Sequence, residues 1–332
     1  MGTHVIVGKG PIGSHLAAHL LAEGHDVRVV SRSGAPAGAP EQQARPEDER
    51  AVIHVSADAS SAPQIAAATL GADVLYNCVN PPYHRWASLW PPMFTALLDA
   101  AEAHGAVLVT AGNLYGYAPG SSPMTEDLPL RPVESKGRVR AWMWEEAKAR
   151  HDAGRVRATE VRASDYLGPL ATTTAHAGER LVHPILTGRT IRPLCSADQP
   201  HSWTYLLDLV RAMAVAGVRE DAWGKPWLAP TNAPLTVREL ATLYAGAAGR
   251  PVPRISPLPA AALGTLGLVS PMLREAYRIR YQVTAPFVMD STRTEEALGL
   301  APTPWQQIAE ETIAWWRTQD TATASAQAYL RE

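Results

Sequence analysis

Short apolar runs alternate with amphipathic stretches along the first third of the chain. The strand-like runs, which are rich in β-branched residues, occupy residues 5–7, 27–30, 52–55, 73–80 and 106–110. Helix-like stretches separate them, and in the first of these apolar or small side chains recur at Ile12, Leu16, Ala17 and Leu20. Strands that alternate with helices in this way are typical of βαβ units. The pattern therefore predicts an α/β fold built on a parallel, doubly wound sheet.

The loop after the first strand contains glycines at positions 8, 10 and 13. Between a strand and a helix, this spacing is the fingerprint of the Rossmann-type dinucleotide-binding fold. Gly8 allows a sharp turn, Gly10 lets the backbone approach a pyrophosphate, and Gly13 lets the helix lie close to the strand. Pro11 and Ile12 open the helix, whose N-terminal N–H groups attract phosphate. We predict a dinucleotide site here, with a vestigial Rossmann domain as the alternative.

The residues that follow the second strand bear on which nicotinamide dinucleotide binds. Enzymes that use NAD usually carry an acidic residue here, which accepts hydrogen bonds from the adenosine ribose. This chain has Ser31-Arg32-Ser33 instead, and a guanidinium flanked by two hydroxyls can donate to a 2′-phosphate. We therefore predict NADP(H) rather than NAD(H), with a solvated surface arginine as the alternative.

Two further residues near strand ends are candidates for cofactor contacts. Asp58 follows the run 52–55 and is predicted either to cap the next helix or to reach the adenine amino group. Asn80 ends the run 73–80 and precedes Pro81-Pro82-Tyr83. Because ligands of such sheets bind at the carboxyl ends of the strands, we predict that Asn80 lies beside the nicotinamide half of the cofactor.

The amino-acid composition indicates which kinds of binding partner to expect for this protein. The chain has 332 residues, of which 46% are hydrophobic and 19% charged, and its formal net charge is −2. That balance gives no reason to expect nucleic acid or an anionic membrane as a partner, and a small-molecule substrate is predicted instead. Cys78 and Cys195 have no CxxC spacing, which favours a reducing compartment without disulfides or a zinc site.

The chain shows no targeting segment, membrane span or metal site that we can name. It runs directly into a strand, so we expect no signal peptide and a cytoplasmic location. The uncharged stretch 255–273 is interrupted by prolines and glycines and makes a poor membrane span. His15 and His19 have the i, i+4 spacing of a metal pair, but no third ligand can be named and no metal is predicted.

Several later segments together resemble a known enzyme group. They are Asn113-Leu114-Tyr115-Gly116, Ser135-Lys136, the stretch 162–169 (Arg-Ala-Ser-Asp-Tyr-Leu-Gly-Pro) and the stretch 203–208 (Trp-Thr-Tyr-Leu-Leu-Asp). With the glycine loop, they make the chain resemble the extended short-chain dehydrogenase/reductase superfamily, in its NAD(P)-dependent epimerase/dehydratase-like branch. Many relatives dimerise, so the resemblance also implies a homodimer.

The resemblance implies two lobes. A dinucleotide-binding Rossmann domain would span residues 1–165, with 201–230 rejoining it. A smaller, mainly C-terminal α/β lobe for substrate would comprise residues 166–200 and 231–332. The tryptophans and the apolar stretch in and around this lobe suggest a fairly apolar substrate, although they could equally be core residues.

The resemblance also implies a catalytic set of Ser, Tyr and Lys, which this chain matches only in part. The family's Tyr lies four residues before its Lys, and the Lys holds the nicotinamide ribose and lowers the phenol pKa. Lys136 matches the family's lysine and is predicted to bind the ribose, with a helix-surface lysine as the alternative. Pro132 stands where the Tyr is expected, and Ala111 stands where the Ser is expected.

Other residues could replace the missing groups. We predict Tyr115 or Tyr83 as a displaced proton donor, with plain cavity lining as the alternative for both. Tyr166 is predicted to contact substrate, whereas Asn113 is predicted either to do so or to stabilise its loop. Arg138 and Arg140 follow Lys136 on one predicted helix and are expected to be solvated.

Three functions remain open from the sequence. The first is an NADP(H)-dependent oxidoreductase that acts on a carbonyl or alcohol of a small, fairly apolar organic molecule. The second is a redox-neutral epimerase, dehydratase or cyclase-like enzyme that keeps a bound dinucleotide. The third is a non-catalytic, NAD(P)-sensing regulator, for which the loss of Ser and Tyr would be unsurprising.

Overall fold

A parallel sheet of seven strands forms the centre of the protein in this computed structural model. The structure describes residues 2–35, 51–172, 175–266, 268 and 271–329. The strands lie in the order β3-β2-β1-β4-β5-β6-β9. Their bounds are β1 Thr3–Val7, β2 Asp26–Ser31, β3 Ile53–Ser56, β4 Val74–Asn77, β5 Val107–Asn113, β6 Arg157–Ala163 and β9 Pro226–Leu228. Because every neighbouring pair is parallel, the predicted doubly wound α/β fold is confirmed.

Helices cover both faces of this sheet. Those of the first two thirds of the chain are α1 Pro11–Ala22, α2 Ala62–Ala68, α3 Trp86–His104, α4 Ser135–Asp152, α5 Glu179–Thr187 and α6 Leu206–Val218. In β1, Val5 and Val7 join the core with α2, α3 and α4, whereas Ile6 joins the core with α1 and α6. Since side chains alternate across a strand, a continuous apolar run buries both faces at once.

A smaller unit is built around the paired strands β7 Asp165–Leu167 and β8 Trp203–Tyr205. Its core is formed largely by α5, α7 and α12. The later helices are α7 Val237–Ala248, α8 Ala260–Leu266, α9 Pro271–Arg278, α10 Tyr281–Thr284, α11 Thr292–Leu298 and α12 Trp305–Tyr329. The chain returns to the main sheet domain after β8 and before α7. In that stretch α6 packs on α1, and β9 pairs with β6 of the main sheet. The predicted domain limits stay a prediction.

The amphipathic sequence pattern predicts a helix over residues 93–104, whereas helix α3 begins seven residues earlier, at Trp86. Pro91 and Pro92 lie inside it, and proline is ordinarily a sign that a helix starts or breaks. The extra turns bring Trp86 and Trp90 into the core, where both are almost fully buried. Across the part of the chain that the structure describes, no helix is both long and apolar enough to cross a membrane.

Candidate active site

A cavity of about 420 Å³ opens at the carboxyl ends of the central strands. Most of its wall comes from three segments, which follow β4, end β5 and follow β6. Gln282 in α10 and Phe287 after α10 also contribute. Its lining residues are Ile12, Arg32, residues 78–83, Trp86, Ala111, residues 113–115, Arg140, residues 163–166, Ala175, Gln282 and Phe287. Since parallel strands all end at one edge of the sheet, residues far apart in sequence meet here.

The glycine loop has the geometry that a dinucleotide pyrophosphate requires. Gly8 has a φ of +113°, and a Cβ on Gly13 would lie 1.9 Å from the Gly8 carbonyl oxygen. A Cβ on Gly10 would meet no atom within 4 Å, so the space beside it is open to a ligand. Among the described residues, no side chain caps the N-terminus of α1, so its N–H groups can bind phosphate. These residues fit the cofactor.

Arg32 lines the far end of the cavity, directly after β2. Ser31 donates its hydroxyl to the Gly34 carbonyl, and Ser33 is exposed. Asp58 accepts hydrogen bonds from the backbone and hydroxyl of Ser60, which lower the pKa of its carboxyl. That geometry makes Asp58 a local turn former, and it is not among the cavity lining residues that the structure describes. Its predicted contact with adenine stays a prediction.

Tyr83 and Tyr115 meet in the cavity. Their hydroxyl oxygens lie 3.3 Å apart, although the residues come from segments after two different strands. Burial raises the pKa of both phenols. For Tyr83 the hydrogen bond with Tyr115 and the charge of Arg140 act in the opposite direction. Tyr83 is therefore the more acidic phenol of the pair and, at 40% exposure, the more accessible one.

Two local features fix the position of Tyr115. The Asn113 side-chain oxygen accepts a hydrogen bond from the Tyr115 backbone N–H at 3.2 Å, so Asn113 both stabilises the turn and lines the cavity. On the other side, a Cβ on Gly137 would lie 2.2 Å from the Tyr115 carbonyl oxygen. The absence of that Cβ lets the first turn of α4 pack directly against the turn that carries Tyr115.

Arg140 is buried at the cavity wall, so the expectation that it is solvated is wrong. Only 7% of the residue is exposed, and its guanidinium carbon lies 4.8 Å from the ring centres of both Trp86 and Trp90. One terminal nitrogen donates to the carbonyl of Ala111 at 3.2 Å. Arg138, in contrast, is exposed and contacts the Val133 carbonyl.

Lys136 lies one turn before Arg140 on α4, and its side chain forms ion pairs. Its ammonium nitrogen is 2.5 Å from Glu275 and 3.4 Å from Glu134, and 1% of the residue is exposed. Glu134 also caps α4 by accepting from the N–H groups of Lys136 and Gly137. Lys136 is not among the described residues that line the cavity, and its predicted contact with the cofactor ribose stays a prediction.

Asp165 brings a negative charge to the opposite wall. His201 Nε2 lies 2.9 Å from one oxygen of its carboxylate, and His201 Nδ1 lies 3.2 Å from the Gln282 carbonyl. Burial alone would raise the pKa of Asp165, but the charges of His176 and His201 lower it to about 2. Beside it, the hydroxyl of Ser164 is buried without a partner among the described residues.

The remaining candidates are also placed by the structure. Asn80 and Tyr166 both line the cavity, and their predicted contacts with the cofactor and the substrate stay predictions. His15 contacts the Pro169 carbonyl and His19 pairs with Glu23. In the described residues, no group of three or more potential ligands could hold a metal ion.

Sequence reasoning missed Arg140, Ser164 and the pairing of Asp165 with His201. The only signal for Arg140 was its i, i+4 spacing from Lys136, which places both side chains on one face of α4. Asp165 and His201 stand far apart in sequence and come together through the pairing of β7 with β8.

A comparison with models of known protein families identifies the family of this chain. A model of the NAD dependent epimerase/dehydratase family matches residues 5–226. No curated protein matches the chain.

Several solved structures share its fold. MoeE5 in complex with UDP-glucose and NAD is 19% identical, with a TM-score of 0.75, over 96% of this chain and 99% of that chain. UDP-N-acetylglucosamine 4-epimerase from Bacillus cereus is 12% identical, with a TM-score of 0.73 and coverages of 96% and 97%. dTDP-glucose 4,6-dehydratase from Bacillus anthracis, in complex with NAD, is 14% identical, with a TM-score of 0.75 and the same coverages. At these identities the likeness concerns the fold.

Proposed function

Because the protein belongs to the NAD dependent epimerase/dehydratase family, whose members are enzymes, we propose that it is an NAD(P)-dependent oxidoreductase. Its substrate is a carbonyl compound or alcohol that is small and fairly apolar. The observation that carries this proposal is the Tyr83–Tyr115 hydroxyl pair, 3.3 Å apart, in a cavity that adjoins the glycine loop. Family membership favours an enzyme over a non-catalytic regulator.

The two phenols divide the proton chemistry between them. A bound nicotinamide dinucleotide supplies or accepts the hydride, and the protein must move one proton at the substrate oxygen. In the reductive direction Tyr83 donates this proton, and in the oxidative direction it accepts it. Once Tyr83 is ionised its oxygen can only accept, so the Tyr115 hydroxyl donates to it and stabilises the Tyr83 phenolate. The nearby charge of Arg140 acts in the same direction.

The size and lining of the cavity support a small apolar substrate. Trp86, Phe287, Leu114 and prolines 81 and 82 contribute much of the wall, and apolar walls with few polar groups are typical of small-molecule sites. Asn80, Asn113 and Tyr166 supply polar atoms that orient the substrate or the nicotinamide.

We propose NADP(H) as the preferred cofactor. Arg32 follows β2 and lines the cavity, in the place where an acidic residue would favour NAD. The family description names NAD, and NAD is bound in several solved relatives. The preference therefore rests on Arg32 alone and needs a direct measurement.

A redox-neutral reaction is the second candidate. The family model and the solved epimerase and dehydratase structures favour it. In such a reaction Tyr83 would take the proton of a substrate hydroxyl while the carbon that bears it gives up a hydride, and a hydride would return to the substrate before product release. It differs from the first candidate in leaving no net change in the cofactor.

A fluorescence titration tests the cofactor proposal. Trp86 lies at the cavity, so binding of NADPH or NADH should quench tryptophan emission by energy transfer. We expect a Kd at least about tenfold lower for NADPH than for NADH, a difference of roughly 1.4 kcal/mol. Arg32→Ala should abolish this preference, whereas Arg138→Ala, an exposed arginine elsewhere, should leave it unchanged. Tighter binding of NADH would overturn the NADP preference.

Nicotinamide absorbance then separates the two reactions. With NADPH bound, small apolar aldehydes and ketones should cause stoichiometric loss of the reduced cofactor. Substrate conversion without any net loss would instead establish the redox-neutral reaction. If neither dinucleotide binds, both candidates fail.

A further inference from the structure

Arg140 is a buried cation without an ion-pair partner. Other buried cations nearby each have one: Lys136 pairs with Glu134 and Glu275, and Arg162 pairs with Glu160. Among the residues that the structure describes, no carboxylate pairs with Arg140. A buried charge normally acquires a partner, because its desolvation is otherwise uncompensated.

The donors of Arg140 are also incompletely used. One terminal nitrogen donates to the Ala111 carbonyl, and Nε is buried with no hydrogen-bond partner among the described residues. The rings of Trp86 and Trp90 lie against the guanidinium, and this cation–π contact does not use its N–H donors. A guanidinium fixed in this way and still holding free donors is prepared for a planar anion.

The charges around the cavity leave the Arg140 side positive. The charge of Glu160 raises the pKa of Arg140, but Glu160 is already paired with Arg162. Asp165, on the other wall, has His201 within 2.9 Å. Each of these carboxylates therefore has a basic side chain of its own beside it, and neither forms an ion pair with Arg140 among the described residues.

We propose that Arg140 binds a carboxylate of the substrate, which makes the substrate a small oxo or hydroxy acid with an apolar remainder. This inference rests on the proposed function and deepens it. Arg140, Tyr83 and Tyr115 line the same cavity, so a carboxylate held at Arg140 places an adjacent carbonyl near the two phenols. Trp86 and Phe287 then face the apolar remainder.

Binding of unreactive probes tests the carboxylate site directly. Hydrocinnamate carries a carboxylate, and hydrocinnamide is its neutral counterpart of nearly the same shape. With NADP⁺ present, tryptophan fluorescence should report a Kd at least about tenfold lower for the acid, as expected for a charge-assisted hydrogen-bonded pair. Equal binding of acid and amide by the wild-type protein would overturn the proposal.

Substitutions then assign the selectivity to Arg140. Arg140→Gln should bring the two Kd values to within about twofold of each other, and Arg140→Lys should keep part of the preference for the acid. Arg138→Gln is the matched control on the same helix and should retain it fully. If Arg140→Gln keeps the selectivity, or if its main effect is weaker NADPH binding, Arg140 does not hold the substrate carboxylate. Circular dichroism establishes that each variant is folded, and the wild-type comparison stands if one is not.

Turnover separates this proposal from the proposed function. Phenylpyruvate and phenylpyruvamide are offered with NADPH, and the acid should be reduced with the higher kcat/KM. Selective binding of hydrocinnamate without reduction of either oxo compound would support the carboxylate site and count against the oxidoreductase. Reduction of both compounds with equal kcat/KM would support the oxidoreductase and overturn the carboxylate site.

Discussion

The two phenols of the cavity have different surroundings, and their roles differ accordingly. Burial raises the pKa of Tyr115 well above its usual value, and the charge of Asp165 acts in the same direction. The pKa of Tyr83 is raised less, because Tyr115 and Arg140 both stabilise its ionised form. A proton donor must lose its proton in the transition state, so the phenol with the better stabilised anion is the better donor.

Replacing each phenol separately tests this division. Tyr83→Phe should lower kcat about 100-fold or more, as removal of a general acid does, and should leave the Kd for NADPH unchanged. Tyr115→Phe should lower kcat by a smaller factor, because only the support of Tyr83 is lost. Tyr277→Phe, which removes a phenol that does not line the described cavity, is the control. Full kcat in both cavity variants would show that neither phenol moves the proton.

His4 makes the stability of the protein dependent on pH. It is 1% exposed in β1, lies beside His25 and contacts the Tyr76 hydroxyl. Burial and the nearby His25 lower its pKa from 6.5 to about 4, and the charge of Asp73 opposes them. Between these two values the unfolded chain binds a proton that the folded protein does not, so stability falls as the pH falls.

His4→Asn should remove this dependence. For the wild type, the contribution of His4 should cost about 2 kcal/mol between pH 7.5 and pH 5. Asparagine keeps a polar atom near the Tyr76 hydroxyl but does not ionise in this range. The free energy of unfolding in urea, measured at both pH values, should therefore fall less in the variant. An identical fall in both proteins would show that His4 does not titrate as described.

At the level of elements, the loop between β1 and α1 contains one glycine that the fold requires and another that leaves space for a ligand. A Cβ at Gly13 would lie 1.9 Å from the Gly8 carbonyl, whereas a Cβ at Gly10 would contact nothing. Gly13 is thus required for α1 to lie against the strand, and Gly10 leaves room that only a ligand uses. The two glycines serve different purposes although they belong to one motif.

Alanine substitutions should separate these purposes. Gly13→Ala should destabilise the folded protein by about 1–3 kcal/mol, as overpacking does. Gly10→Ala should leave the free energy of unfolding nearly unchanged and raise the Kd for NADPH at least about tenfold. Gly246→Ala, in α7 with open space around it, should affect neither adversely. Unchanged NADPH binding in Gly10→Ala would argue against a pyrophosphate at this loop.

The sequence predicts the sheet and the glycine loop well because both depend on local patterns. Val5, Ile6 and Val7 place apolar side chains on both faces of β1, which is what a central parallel strand requires. Arg140 could not be recognised in the same way, since its burial depends on Trp86 and Trp90. Those two tryptophans precede Pro91 and Pro92, where the pattern indicated no helix. The contact of Asp165 with His201 likewise depends on strand pairing between distant segments.

At the scale of the whole molecule, Lys136 connects the main sheet domain to the segment beside the cavity. It stands in the first turn of α4 and pairs with Glu275 on α9. Helix α9 packs on the turn Tyr83–Arg85, and Gln282 and Phe287, which follow it, line the cavity. The ion pair therefore fixes a segment that helps to enclose the substrate.

Lys136→Met distinguishes this structural role from the ribose contact predicted from the sequence. If the ion pairs matter most, the variant leaves Glu134 without its cation and Glu275 with Arg278 alone, and it should lose about 3 kcal/mol of stability in the absence of cofactor. Trypsin should then cleave faster after Arg278, which also pairs with Glu275. Lys148→Met is the control, because its exposed pair with Asp152 on the same helix should be worth under about 1 kcal/mol.

A ribose contact would give the opposite result. Lys136→Met would then keep its stability and trypsin resistance in the absence of cofactor but would bind NADPH more weakly. Glu275→Gln sharpens the comparison, since it removes one charge of the pair and leaves the Lys136 ammonium in place. Loss of stability in both variants, with NADPH affinity retained in Lys136→Met, would mean that the ion pair of Lys136 with Glu275 holds the segment around α9 in place and that Lys136 is not needed to hold the cofactor.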